Sequence, residues 1–153
     1  MGRYLASVRA IGRDTYGRSR PKSHNQQPGP PTPWSLFLGH QRKPRKALYI
    51  AGQVGVDSNG NLVGKGDPAA QTRQALENIG HVLAAAGAGF SDVVEFTTYV
   101  VGRSSVQGYL DGRGETYPTI YPDGEFPTNT LLVVAGLVNE DLLVEIKAVA
   151  ALP

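Results

Sequence analysis

The sequence predicts an α+β domain in which two helices pack on one face of a mixed β-sheet. Three observations lead to this fold class. A stripe of apolar residues with helical spacing occupies residues 68–87, runs rich in β-branched and aromatic residues flank it, and the predicted element order is β-β-α-β-α-β-β. With 153 residues and 41% apolar side chains, the chain has the size of one domain with a substantial core.

The first 33 residues differ from the rest in composition. Through Lys46 the chain has ten basic residues and one acidic residue, whereas the remainder has five basic and twelve acidic residues. Residues 21–33 are polar and proline-rich, a composition that does not support a packed core. Residues 1–33 are therefore predicted to be an arm, either disordered, a transit peptide or the product of a misassigned start, and the domain is predicted at 34–153.

Two strands and a turn are predicted first. The runs WSLFLGH from Trp34 and ALYIAGQVGV from Ala47 are separated by the polar QRKPRK, as in an antiparallel hairpin. The sequence DSNGN at residues 57–61 then predicts a reversal of the chain before Leu62.

The first helix has signals at both ends. Asp67 can accept hydrogen bonds from free backbone N–H groups, Pro68 fits the first helical position, and Gly87 suits the end. The apolar stripe leaves His81 on the solvent side, so His81 is expected to be a surface residue. The stripe itself consists of Ala75, Leu76, Ile79, Val82, Leu83 and Ala86.

The second half of the chain predicts two strands around a weaker helix, then a last strand. Residues 92–103 and 128–137 have strand composition, and a helix from Ser104 or Ser105 toward Tyr117 is expected to be short or irregular because it contains glycines. In LLVEIKAVAAL, alternation places Val144, Ile146 and Ala148 under the helices and turns Glu145 to the other face.

Several classes of protein and site are excluded. The chain has no cysteine, which rules out disulfides and thiolate chemistry, and its three histidines are too scattered to suggest a metal site. No cofactor is expected. No apolar run is long enough to cross a bilayer, so a soluble protein without a membrane partner is predicted, cytoplasmic or, if the arm is a transit peptide, mitochondrial.

Four blocks of the sequence resemble the RidA/YjgF/UK114 family of reactive-intermediate deaminases. They are LYIAGQVGVDSNGNLVGKGD, QTRQALENIGHVLAAAGAGFSDVV, the Pro-Thr-Asn turn into a strand, and LLVEIKAVAAL. The resemblance implies a chorismate-mutase-like fold of six strands and two helices. It also implies a homotrimer with an inner barrel and three sites in the clefts between subunits, where imines or enamines are hydrolysed to a 2-oxo acid and ammonia.

The resemblance also implies site residues. Glu145 falls on the catalytic glutamate, Gly52 on a backbone contact to the substrate, and Trp34 on the aromatic residue of the first strand. Asn129 falls on the arginine that binds the substrate carboxylate, so the usual charge is missing there. Arg113 is a candidate to supply that charge, the alternative being a surface residue paired with an acidic neighbour on its own helix.

Three functions are open at this stage. The first is an imine or enamine deaminase with an altered substrate class, and the second is a trimer that binds a small metabolite without turnover. The third is an endoribonuclease, which is disfavoured because the domain is acidic and no strand interleaves aromatic and basic residues. Nucleic acid is therefore an unlikely partner, and a small imine, enamine or 2-oxo acid is the expected ligand.

Overall fold

The computed structural model describes residues 46–152, which form a four-stranded mixed sheet covered on one face by two helices. The elements are β1 (Ala47–Val54), α1 (Pro68–Ala85), β2 (Val93–Val101), α2 (Ser105–Ile120), β3 (Thr128–Val134) and β4 (Val144–Ala151). A short 3-10 helix, Phe90–Asp92, precedes β2. The predicted α+β class with two helices on a mixed sheet is therefore confirmed. The predicted arm and the predicted strand that begins at Trp34 lie outside the described residues.

The strands lie in the order β1-β4-β2-β3. β4 pairs antiparallel with both β1 and β2, while β3 runs parallel to β2. Of the six strands that the resemblance implies, four belong to this sheet. A bridge between Val56 and Leu62 closes the predicted reversal, in which Gly60 has a positive φ of 83°.

The core lies between the sheet and the helices, as the alternation in the last strand predicts. Val144, Ile146 and Ala148 are buried on β4 and pack with Leu76 and Ile79 of α1. Fifteen hydrophobic residues of this part of the chain form one buried cluster. The face of the sheet away from the helices is called the open face here; its side chains include Tyr49, Glu95, Thr97, Tyr99, Leu132, Glu145, Lys147 and Val149.

The first helix begins and ends as predicted. The Asp67 carboxylate accepts hydrogen bonds from the backbone N–H groups of Ala69 and Ala70, at 2.9 and 3.0 Å, and Pro68 occupies the first helical position. Gly87 follows the helix with a φ of 70°, the left-handed conformation that glycine favours.

The expectation that the second helix is short or irregular is wrong. α2 has 16 residues, and its glycines allow close contact with α1 rather than breaking the helix. A Cβ added to Gly108 would lie 3.0 Å from Pro68, and one added to Gly112 would lie 2.5 Å from the Ala69 carbonyl oxygen. The glycines therefore cost helix propensity but permit the two helices to pack closely.

Candidate functional site

Glu145 and Gly52 lie together on the open face. The pairing of β1 with β4 shifts between Ile50 and Gln53, a β-bulge that contains Gly52. The half-buried Glu145 side chain lies against the backbone at this bulge. A Cβ at residue 52 would be 2.5 Å from Glu145 Cδ and 2.8 Å from Cγ. Only glycine therefore leaves the carboxylate in this position.

The Glu145 carboxylate is not neutralised by a salt bridge within residues 46–152. The two salt bridges in this part of the chain join Lys65 to Asp141 and Arg73 to Glu115. A half-buried carboxylate without a cationic partner can accept a proton from water, as a general base must.

A cavity of about 520 Å³ begins at Gly52 and runs between β1 and α1. Asn78 lines this cavity. Its side-chain amide joins α1 to the segment after β1, because it donates to the carbonyl oxygens of Val54 and Val56 at 3.1 and 2.9 Å. His81 is exposed at this cavity, which agrees with the expected surface position. The cavity thus lies on the side of α1, and Glu145 is not among its lining residues.

Asn129 lies on the helix side of the sheet, in a ring of hydrogen bonds. Its amide nitrogen donates to the Tyr109 hydroxyl at 2.8 Å, and its amide oxygen accepts from the Thr98 hydroxyl at 3.0 Å. The two hydroxyl oxygens are 3.4 Å apart, so the three side chains close a ring. The amide retains only one N–H for any ligand, and it carries no charge.

Arg113 lies over an aromatic ring, and within residues 46–152 it pairs with no acidic neighbour. Its guanidinium carbon lies 4.5 Å from the centroid of the Tyr117 ring. Asp111 accepts a hydrogen bond from Gln107, and Glu115 pairs with Arg73 on α1. The alternative of a surface pair between Arg113 and an acidic residue of its own helix is therefore not found in the described part of the chain.

The candidate residues form two separate groups. Gly52 and Glu145 are on the open face, whereas Asn129 and Arg113 are on the helix side, because Asn129 pairs in register with the buried Phe96 and α2 packs on β2. One chain therefore does not bring all four into one site. The fifth candidate, Trp34, lies outside the described residues.

Sequence reasoning missed the partners of Asn129 and Arg113. Tyr109, Arg113 and Tyr117 are spaced by four residues, which places them on one side of a helix, and this signal was available. The contact of Tyr109 with Asn129 joins residues 20 apart and has no comparable signal in a single sequence.

Burial changes the acidity of two tyrosines in this region. Burial raises the pKa of Tyr117 to about 12, while the nearby Arg113 charge acts in the opposite direction. The pKa of Tyr121 is also raised, mainly by burial and then by the neighbouring Tyr117. Both hydroxyls are therefore neutral at physiological pH.

Known proteins with similar sequences and structures share this domain. The model of the family described as Endoribonuclease L-PSP matches residues 25–152. A RutC family protein of Pyrococcus horikoshii is 33% identical over 123 residues, which cover 80% of this chain and 90% of the relative. A 2-iminobutanoate/2-iminopropanoate deaminase of Rattus norvegicus is 37% identical over 106 residues, 69% of this chain and 72% of the relative.

The solved structures agree with the sequence relatives. A Yersinia pestis protein of unknown function from the conserved Rid protein family has a TM-score of 0.65 and 39% identity, and the match covers 74% of this chain and 83% of that one. The matched region contains the α+β domain and both groups of candidate residues. This chain is therefore a member of the Endoribonuclease L-PSP family, to which the RidA/YjgF proteins belong.

Proposed function

We propose that this protein is a hydrolase that converts small imines or enamines to a carbonyl compound and ammonia, with Glu145 as the general base. The observation that carries the proposal is the contact between the half-buried Glu145 carboxylate and the backbone at Gly52. A carboxylate held against the backbone of a glycine bulge can position a water molecule and accept its proton.

The reaction needs one base that returns its proton. Glu145 takes a proton from water as the water oxygen bonds to the imine carbon, and it delivers that proton to the imine nitrogen to give a neutral carbinolamine. The carboxylate then takes the hydroxyl proton as the C–N bond breaks and passes it to the nitrogen, which departs as ammonia. Gly52 lets the substrate approach the β1 backbone, because no side chain covers the bulge.

The substrate class is proposed to differ from that of a deaminase with an arginine at position 129. Asn129 offers a neutral amide, whose hydrogen bonds to Tyr109 and Thr98 compete with binding of a ligand. A substrate carboxylate bound by Asn129 alone would lose roughly 1 to 3 kcal/mol relative to a bidentate arginine. Trp34 keeps its predicted role as the aromatic residue that closes the pocket.

A homotrimer is part of this proposal. Tyr49 is 79% exposed on the open face, and Leu132 of the same face is 40% exposed. Large apolar side chains exposed on one face of a sheet suit an interface between copies of the chain, so a second copy is the expected cover. Light scattering after gel filtration should give three times the chain mass. A monomer at micromolar concentration would contradict the homotrimer.

The main test is hydrolysis of small imines generated in the assay, 2-iminopropanoate and a counterpart of similar size without a carboxylate. We expect the protein to accelerate the disappearance of the carboxylate-free imine more, and Glu145→Gln to lower kcat/KM for it by about 10²- to 10⁴-fold, because the general base is lost. Glu140→Gln is the matched control, since it removes the same charge from an exposed turn next to β4. Full activity in Glu145→Gln would rule out the proposed mechanism.

A trimer that binds a metabolite without turnover is the second candidate. The uncharged Asn129 favours it, because without the arginine a carboxylate substrate is held less firmly in the position that turnover requires. Saturable binding of 2-oxo acids without acceleration of imine hydrolysis would support this function over the first. The endoribonuclease alternative predicts RNA cleavage that stays with the protein through further purification.

A further inference from the structure

A second cavity lies on the helix side, between α2 and the loop before β3. This cavity, the Arg113 pocket, measures about 280 Å³ and is lined by Leu110, Arg113, Gly114, Tyr117, Pro118 and Phe126. At about 30 Å³ per water molecule, the volume corresponds to about nine waters. The pocket therefore has the size of a small metabolite.

The walls of the pocket are apolar except for one guanidinium. The Tyr117 ring lies under Arg113, and the Phe126 ring is 5.2 Å from the Tyr117 ring, centroid to centroid. The contact of the guanidinium with the Tyr117 ring leaves N–H groups that can donate to an anion, since a guanidinium carries five N–H donors. The same contact holds the guanidinium beside the pocket, which lowers the entropy lost when an anion binds.

The Arg113 charge has no acidic partner among residues 46–152. Asp111 accepts a hydrogen bond from Gln107 at 2.8 Å, and Glu115 pairs with Arg73 at 2.7 Å. The Tyr117 hydroxyl stays neutral at physiological pH, because burial raises its pKa to about 12. A positive charge beside apolar walls is thus left for an anionic ligand.

We propose that the Arg113 pocket binds a small monocarboxylate with a branched or aromatic apolar side chain. The planar guanidinium can donate two parallel N–H···O hydrogen bonds to a carboxylate. Its single positive charge neutralises the single negative charge of a monocarboxylate. The side chain packs on Leu110, Tyr117 and Phe126. Glu145 of the same chain lies on the open face, so the pocket binds its ligand whether or not the protein hydrolyses imines.

The test is calorimetric binding of 4-methyl-2-oxopentanoate to the full chain carrying Glu145→Gln, in which turnover does not interfere. We expect saturable binding, weakened about ten- to a hundredfold by adding Arg113→Gln and less by Arg113→Lys, which keeps the charge but loses the fork. Arg103→Gln, an exposed arginine just before α2, is the matched control and leaves the affinity unchanged.

Two comparisons separate binding in the pocket from a change in folding. The neutral 4-methyl-2-oxopentanamide should bind more weakly than the acid, and Arg113→Gln should abolish that difference. Pyruvate, which lacks the branched side chain, should bind more weakly than the branched acid, and Phe126→Ala should reduce that difference. Equal affinities for acid and amide before the arginine is removed, or unchanged affinity in Arg113→Gln, would overturn the proposal.

Discussion

At residue 52, the lack of a side chain lets the Glu145 carboxylate lie against the β1 backbone. Gly52→Ala places a methyl group where Glu145 Cδ and Cγ lie, at 2.5 and 2.8 Å, so the glutamate side chain must move. A misplacement of about 1 Å can lower a rate about 10²-fold. We expect Gly52→Ala to lower the rate of imine hydrolysis by at least tenfold, measured beside the free energy of unfolding.

Gly136→Ala is the control for this change. An added Cβ at Gly136 has no atom within 4 Å, so hydrolysis and stability should both stay close to those of the wild type. Wild-type hydrolysis by Gly52→Ala would show that the position of Glu145 against the bulge is not needed for the reaction.

Removing the hydroxyl group from each of two buried tyrosines should change the stability of the protein differently. Tyr121 is 6% exposed, and its hydroxyl has no hydrogen-bond partner in the described part of the chain, whereas the Tyr109 hydroxyl accepts from Asn129 at 2.8 Å. Tyr121→Phe should leave stability unchanged or raise it by up to about 1 kcal/mol. Tyr109→Phe should cost about 1 to 3 kcal/mol, because it removes the acceptor of a half-buried amide. Urea unfolding of both variants measures the difference, and equal effects would contradict this account.

At the scale of elements, the length of α2 depends on its contact with α1. The glycines of α2 suggest a weak helix from the sequence alone, since propensity is a local quantity. Gly108 and Gly112 lie where α2 contacts α1. This contact joins residues about 40 positions apart, so a local sequence pattern does not show it. The first helix was predicted correctly because Asp67, Pro68 and Gly87 act within its own ends.

Two glycines on α2 give a direct test of this explanation. Gly114→Ala adds a methyl group with no atom within 4 Å and should stabilise the protein by about 0.5 to 1 kcal/mol through helix propensity. Gly112→Ala brings the same methyl group to 2.5 Å from the Ala69 carbonyl oxygen and should destabilise by about 1 to 3 kcal/mol. Thermal unfolding of the two variants and the wild type measures both effects. A stabilising Gly112→Ala would show that the helices can move apart at little cost.

At the scale of the whole molecule, the sheet separates the candidate residues into two groups, one on each face. Alternation along the last strand was enough to place Glu145 on the open face, because that rule is local. The sequence did not reveal that Asn129 and Arg113 are on the other side, since this depends on the parallel pairing of β3 with β2. A site that uses Glu145 together with Asn129 must therefore join two copies of the chain, which supports the proposal of an oligomer.

Stability of the whole domain should fall in strong alkali because of its aromatic cluster. Tyr117, Tyr121 and Phe126 pack with ring centroids 5.2 to 5.9 Å apart, and burial raises the pKa of Tyr117 to about 12. Above about pH 10 the unfolded chain releases this proton, whereas the folded chain keeps it until about pH 12. The unfolded state then binds fewer protons, so the free energy of unfolding decreases as pH rises through this window.

The contribution of Tyr117 to the free energy of unfolding is fully present below about pH 10. We expect its loss by pH 12 to lower the free energy of unfolding by about 1 to 2 kcal/mol after allowance for solvent screening. Urea unfolding at pH 8 and pH 11.5 should show a smaller decrease for Tyr117→Phe/Tyr121→Phe than for the wild type, because phenylalanine keeps the ring contacts and has no proton to release. Titration of the remaining tyrosines and lysines occurs in both proteins and cancels in the comparison. Equal decreases would mean that the folded domain already admits water to the Tyr117 and Tyr121 hydroxyls at pH 11.5.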